Sequence, residues 1–232
     1  MGHLGQKSLN YVLENGVSVC CDEECFEKDT IPASIQCAVQ VLLMGLGEDI
    51  NREGIIKTPH RVAKALHEGT IGYGLSAKEI VEGALFPEAG VEGTKVGHAG
   101  GVGGLVMVRD LDFYSYCESC MLPFYLKCHV GYVPSGQRVL GLSKLSRSIV
   151  HFFGFKLQVQ ERLTKQIAET VSPLVGGNVI VVVEAGHTCM ISRGIEKFGS
   201  NTATIAALGL FATDLAARTS FLQSIPRATY IS

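Results

Sequence analysis

Apolar residues at Ile35, Ala38, Val39, Leu42, Leu43 and Leu46 recur at the three-and-four spacing of a helix with one apolar face. Thr30 and Pro32 open that segment, and Gly45 and Gly47 end it. Thr58 before Pro59 predicts an N-cap with proline at the first helical position, and so a second helix from His60 to about Glu68. Ser76-Ala77-Lys78-Glu79 has the order of a capping box and predicts a short third helix. The stretch from Gly90 to Gly104 is rich in glycine but lacks the G-x-x-x-x-G-K-[ST] order and the strand-loop-helix setting of a phosphate cradle. It reads as a connection.

Beyond it the period changes. Leu105–Val108 and Leu111–Tyr116 are short strand candidates, and Leu126, Cys128, Val130 and Tyr132 alternate with Lys127, His129 and Gly131 as in a half-buried strand. Ser135-Gly136 predicts a turn into Val139–Leu142, making a hairpin. Ser143 is the expected cap of a helix running to about Phe155, and Val159, Leu163, Ile167 and Val171 stack along a longer one that Gly176-Gly177 stops. Asn178–Ala185 is a continuous β-branched run, as expected of a strand buried on both faces. Thr202–Leu208 is a further strand, and Leu215, Arg218, Leu222 and Ile225 mark a final helix. Helices, antiparallel strands, two helices, two strands and a helix make an α+β domain rather than a doubly wound one. Residues 1–29 are polar and irregular and read as a flexible arm, leaving 30–232 as one domain.

Composition then excludes several classes. With 232 residues, 47% hydrophobic and 18% charged, the chain is globular, and no apolar run reaches the length of a membrane span. A formal charge of −2 gives no reason to expect a nucleic acid partner. MGHLGQKSLNYVLENG lacks the basic-then-apolar order of a secretory signal, and the eight cysteines then suit a reducing, cytoplasmic setting. Cys20, Cys21, Cys25 and Cys37 have no metal-ligand spacing, and Cys37 is expected on a buried helix face.

Chemistry concentrates later in the chain. Cys117-Glu118-Ser119-Cys120 is a C-x-x-C that bears three readings: metal ligand, redox pair or packing. A redox pair normally opens a helix after a strand, whereas Pro123 and a strand follow here. Gly186-His187-Thr188-Cys189 follows the buried run, and residues two apart at a strand end point to one side. Cys117, Cys120 and Cys189 would make three thiolate ligands for zinc with a fourth position open, and His187 would pass protons beside them. Lys144 and Arg147 lie at a helix start, where the dipole favours anions. Gln160-Glu161 opens the next helix, where a carboxylate can accept from the N1–H and exocyclic amine of a guanine. Arg193 and Lys64 are further basic candidates for a polyphosphate.

EDINREGIIKTPHRVAKAL, GYVPSGQRVLGLSKLSR, LQVQERLTKQIAE, VVVEAGHTCMISRGI and LGLFATDLAARTSFLQSI occur in that order, and from about Ile35 to Ile225 the chain resembles the GTP cyclohydrolase I family. The resemblance implies zinc on Cys117 and Cys189, proton transfer by His187, guanine recognition by Gln160 and Glu161, and triphosphate contacts from Lys64, Ser143, Lys144, Arg147 and Arg193. It also implies a tunnelling fold, with N-terminal helices and an antiparallel sheet carrying helices on one face. Sheets from several subunits close into a barrel, commonly in a homo-decamer with sites at subunit interfaces. The reaction is hydrolytic opening of the GTP imidazole ring to 7,8-dihydroneopterin triphosphate and formate, at the head of folate and pterin synthesis.

One motif departs from the family. Its usual Cys-Glu-His-His reads Cys117-Glu118-Ser119-Cys120 here, so Cys120 stands in for a zinc-binding histidine and Ser119 for a catalytic one. A third thiolate makes zinc a weaker Lewis acid, and a serine hydroxyl does not titrate near neutrality. This version is similar to the first half of the plant-type enzyme, which joins two units in one chain, yet EAGHTCMISRG is complete here. An active enzyme and a weak GTP-binding subunit needing a partner chain both remain open.

Overall fold

The computed structural model describes residues 31–87, 104–135, 138–195 and 199–225, together with a short antiparallel pair, β1 (Tyr11–Val12) and β2 (Ser18–Val19). Of the predicted arm, only that pair is described; the rest of 1–29, the glycine-rich 88–103 and the turn residue Gly136 lie outside the described residues. The chain divides into two compact units, Met1–Glu68 and Gly69–Ser232.

In the first unit α1 spans Ala33–Gly45 and buries Val39, and α2 spans Thr58–Gly69 and buries Pro59 and Ala63. Thr58 is the first residue of α2 rather than its cap: its N–H donates to the Ile55 carbonyl at 2.7 Å, so the preceding turn feeds the helix directly. Glu48 and Arg52 pair at 3.0 Å in the connection between the helices.

The second unit contains α3 (Ala77–Val81), β3 (Leu85–Pro87), β4 (Val106–Cys117), β5 (Pro123–Tyr132) and β6 (Arg138–Leu140). There follow a helical stretch ending in α4 (His151–Gly154), β7 (Leu157–Gln158), α5 (Gln160–Val175), β8 (Val179–His187), α6 (Thr188–Ile191), β9 (Thr202–Leu208), α7 (Leu210–Thr213) and α8 (Leu215–Ser224). Ser76 holds the extended conformation of an N-cap before α3, but its side chain makes no capping bond, so the capping box does not form. The five-stranded sheet has the order β7-β4-β5-β8-β9 and is antiparallel except where β7 joins β4.

Three sequence expectations change at the sheet. The two short strands proposed over 105–116 are halves of β4, interrupted where the register slips between Val108 and Leu111. Asp110 takes a left-handed φ of 56° in that bulge, which aspartate tolerates better than most residues. Its N–H donates to His129 Nδ1 at 3.2 Å, and burial pushes the His129 imidazole below its ordinary pKa even with Asp110 and Glu184 beside it. Next, β6 pairs with β3, Leu85 opposite Leu140 and Phe86 opposite Val139, and among the described residues it does not pair with β5 as the predicted hairpin around Ser135 requires. The hairpin that does form joins β4 to β5 through residues 118–122.

The third change concerns the sheet's faces. Leu126, Cys128, Val130 and Tyr132 of β5 and Val179, Val181 and Val183 of β8 bury one face against Leu163, Ile167 and Val171 of α5 and against Leu145 and Ile149. Ile180 and Val182 point the other way and pack with Phe211 and Phe221 from α7 and α8. Helices therefore cover parts of both faces rather than one.

Two helix starts also differ. Ser143 sits inside a helical turn with φ −64° and caps nothing; Lys144–Val150 winds as a π-helix, burying Leu145, Ile149 and Val150. Val159 is the extended N-cap of α5 and is 37% exposed, so the buried row begins with Gln160 and Leu163. Gly176, at φ 86°, ends the helix in the left-handed conformation expected of a glycine stop.

Gly131 lies where β5 passes under α8: a Cβ there would meet the Phe221 ring at 2.5 Å and Ile180 Cγ2 at 3.0 Å. Gly131→Val is expected to destabilise the protein by about 1–3 kcal/mol, the usual effect of overpacking a filled core. The check is urea unfolding, in which the midpoint falls while the slope stays unchanged.

Candidate metal centre

The turn between β4 and β5 brings the C-x-x-C cysteines together. Cys117 donates its N–H to the Leu122 carbonyl at 2.9 Å, and Met121, at φ 57°, returns its N–H to the Cys117 carbonyl at 2.7 Å. β8 runs beside β5 with His187 opposite Phe124, and α6 follows at once with Cys189. The Thr188 hydroxyl donates to the Pro123 carbonyl and holds α6 against the turn.

Cys117, Cys120 and Cys189 consequently converge, their sulfurs all within 4.8 Å of one another. Three thiolates arranged tetrahedrally about zinc at ~2.3 Å stand about 3.8 Å apart, so the trio needs only a slight contraction to hold that ion. A redox pair would use two of the sulfurs and leave the third unexplained. Burial raises the Cys117 thiol, but the Ser119 N–H and hydrogen bonds from Cys120, Cys189 and the Ser119 hydroxyl outweigh it, and the net shift is downward. Cys189 is pushed up to about 11, first by burial and then by its hydrogen bond with Cys120 and the charge on Cys117. Without metal, then, one thiolate is stabilised by thiol, hydroxyl and amide donors.

His187 is half-buried and stacks on Phe124, ring centroids 4.6 Å apart and planes 11° from parallel. Its Nε2 lies 3.0 Å from Gln160 Oε1. The Gln160 amide nitrogen donates to the Val183 carbonyl at 2.9 Å and to the Thr202 carbonyl at 2.8 Å. The Gln160 side chain is 2% exposed and turned into the sheet, its amide nitrogen and oxygen both engaged. Glu161, the next residue, is exposed on the first turn of α5.

Other expected residues are distributed as follows. The Arg193 side chain donates through Nε to the Cys189 carbonyl at 2.8 Å, tying it to the cysteine trio. Ser143 precedes the π-helix and Lys144 and Arg147 lie in it, and among the described residues no carboxylate pairs with either cation. Lys64 belongs to the first unit, on α2, with its ammonium 3.8 Å from Glu68.

Arg162 was missed in the sequence reading, although it stands directly beside Glu161. Its guanidinium pairs with Glu118 of the cysteine turn, donates to Gln158 Oε1 at 3.0 Å and reaches the Leu157 carbonyl at 3.2 Å. The Glu118 N–H in turn donates to the Gln158 carbonyl at 3.2 Å. The cysteine turn is thus clamped to the start of α5 through a pairing that no local spacing announces. Phe124, the platform under His187, was missed for the same reason.

A mixed α+β unit with a thiolate trio and an amide-held histidine is the frame into which the comparisons fall. The family model for GTP cyclohydrolase I matches residues 35–226, and the chain belongs to that family. GTP cyclohydrolase 1 of Gloeobacter violaceus is 47% identical over 189 residues, covering 81% of this chain and 82% of the other. That of Dictyostelium discoideum is 44% identical over 193 residues, covering 83% and 77%. GTP cyclohydrolase 1 of Arabidopsis thaliana is 34% identical over 453 residues, with 97% of each chain covered. That alignment is nearly twice as long as the 232 residues here, so much of it pairs with no residue of this chain.

Because Cys189 holds its proton up to about 11, metal uptake must release it. Apparent zinc affinity is expected to fall about tenfold per pH unit between about pH 8 and pH 6, more steeply if a second proton leaves. Competition against a chromophoric chelator measures this. Arg162→Ala should weaken zinc binding by about tenfold or more, because it frees the cysteine turn. As Arg162 and Glu118 form a half-exposed pair, worth under ~1 kcal/mol to folding, the unfolding midpoint of the metal-free protein should scarcely move.

Proposed function

We propose that this chain opens the imidazole ring of GTP by hydrolysis, releasing C8 as formate and yielding 7,8-dihydroneopterin triphosphate for folate and pterin synthesis. The observation that carries the reading is the convergence of Cys117, Cys120 and Cys189, Cys189 standing two residues beyond His187 at the end of β8, within a chain of this family.

The residues divide the work by their chemistry. Zinc bound on the three thiolates would supply an acidified water for attack at C8, less acidic than one on a site with an imidazole ligand. Glu161 accepts from the guanine N1–H and exocyclic amine, a two-point contact that a carboxylate suits. Lys144, Arg147, Arg193 and Lys64 with Ser143 neutralise and bind the triphosphate. His187 moves protons to and from the opening ring. Ser119 cannot share that task near neutral pH; its hydroxyl serves Cys117, as their hydrogen bond supports.

The assembly we propose is a homo-oligomer of the tunnelling fold, a decamer in the family's usual form, whose sheets join edge to edge in a cytoplasmic enzyme. Two open edges support it. β9 is a seven-residue outer strand with Ile205 51% exposed, and among the described residues β4 is paired on its outer side only at Tyr116 and Cys117. No helix among the described residues is long and apolar enough to cross a membrane.

Ser119 favours a second reading, in which the chain binds GTP and a partner chain supplies the missing histidine. Turnover of GTP by the pure, metal-analysed protein separates the two, read as the fluorescence of oxidised neopterin. Product with about one zinc per chain is the expected result. Zinc and GTP bound without product would overturn the active-enzyme reading, and activity gained in a Ser119→His, Cys120→His double variant would trace the fault to the turn.

A further inference from the structure

On the face of the sheet away from α5, the His129 ring of β5 is fully buried and has no part in the chemistry proposed above. Its tautomer is fixed by what faces it. Opposite Nδ1 stands the Asp110 backbone N–H, 3.2 Å away, and a backbone N–H can only donate. Nδ1 is therefore the bare nitrogen, and the neutral ring carries its hydrogen on Nε2. Nε2 lies 3.7 Å from Glu184 Oε2 on β8, too far for a hydrogen bond. Both of those atoms are buried, and among the described residues neither has a hydrogen-bond partner.

A second proton on this ring has only Nδ1 to go to. There it would set two N–H donors against each other across 3.2 Å, so the contact with Asp110 must open. Glu184 offers the cationic ring a carboxylate, so the proton exchanges a partner on β4 for one on β8. We infer that His129 is an acid-sensitive latch on the β4 bulge: neutral, it holds Asp110 in place, and protonated, it releases it.

The bulge matters because the end of α8 is tied to it. Arg109 donates to the Ser224 carbonyl, and the Ser224 hydroxyl lies 3.2 Å from Met107 Sδ. Asp110 keeps its left-handed φ of 56° between the matched pairs Val108–Val130 and Leu111–Cys128. Opening its N–H contact frees the bulge to shift, and with it the ties to α8, whose Phe221 packs with Ile180 and Val182.

The charges around the ring set the sign of the response. Burial is the largest influence and opposes the proton; Asp110 on β4 and Glu184 on β8 favour it, and Lys127 on β5, 3.5 Å from the Asp110 carboxylate, opposes it. Arg109 and, on α8, Arg218 are turned to backbone carbonyls. β9 and α7 carry no charged residue. The net shift is downward, so the unfolded chain takes up this proton before the folded ring does. The latch's contribution is complete above about pH 6.5 and falls by up to about tenfold per pH unit below it, until the folded ring titrates.

The direct test is 15N NMR of the histidine-labelled protein, with the His129 signals identified by their contact with the Asp110 amide. The neutral ring should show Nε2 protonated and Nδ1 bare, and the Asp110 amide should shift in step as the ring titrates. A neutral ring protonated at Nδ1, or an Asp110 amide unmoved while the ring takes its proton, would overturn the inference. Hydrogen exchange of the α8 segment, read by mass spectrometry, supplies the second readout. His129→Asn presents an amide oxygen near the position of Nδ1 but does not titrate, and comparing both proteins at one pH cancels the intrinsic pH dependence of exchange. Going from about pH 7.5 to about pH 5.5, α8 should gain up to about tenfold in exchange relative to the variant. An equal acid response in the two proteins would sink the proposal. If His129→Asn does not fold, the NMR titration of the unaltered protein decides alone.

Discussion

β8 is buried on both faces, and most of the second unit is arranged around that fact. Val179, Val181 and Val183 face α5 while Ile180 and Val182 face α7 and α8, so the strand has apolar neighbours above and below and hydrogen-bonded strands on either side. Burying such side chains contributes roughly 1.5–3 kcal/mol each relative to exposure, and the period of two leaves no freedom of register. A one-residue slip would exchange the two faces and bring Glu184 into the main core. The strand's last residue is His187, and the next turn bears Cys189. The position of the chemistry thus follows from packing several residues away.

The cysteine turn is held in quite a different manner. It has little apolar burial, and what fixes it are hydrogen bonds and one ion pair: the turn's own backbone bonds, Thr188 to Pro123, and Arg162 to Glu118. An apolar strand positions the histidine and a polar mesh positions the sulfurs, and the two meet where α6 leaves the sheet. This division leaves the thiolates tunable by nearby donors without disturbing the core.

Elements whose pattern is local were legible from the residues: α1, α5, β9 and the twice-buried run of β8. What was not legible depends on partners distant in the chain. Val139–Leu142 looked like the return arm of a hairpin, but its partner is β3, beyond β4 and β5 in sequence, and alternation alone does not name a partner. Arg109-Asp110 appeared as a gap between two strands because a bulge interrupts the alternation without ending the strand. The π-helical winding after Ser143 has no periodic signature, since it spoils the helical count by a single residue per turn. Gln160 shares the three-and-four spacing of Leu163, Thr164 and Ile167, which places its side chain inward.

The chain-entropy consequence of the cysteine trio extends beyond the site. A metal shared by Cys120 and Cys189 joins positions separated by β5, β6, α4, β7, α5 and β8, so it closes a large part of the second unit into one long loop. By the reasoning applied to covalent cross-links, tying a loop of that length restricts the unfolded chain by something on the order of 4 kcal/mol. The ion and the fold are then linked quantities: part of any measured metal affinity is the free energy of bringing β4, β5 and β8 together. A metal held there would thus lend stability to the sheet as well as chemistry to the site.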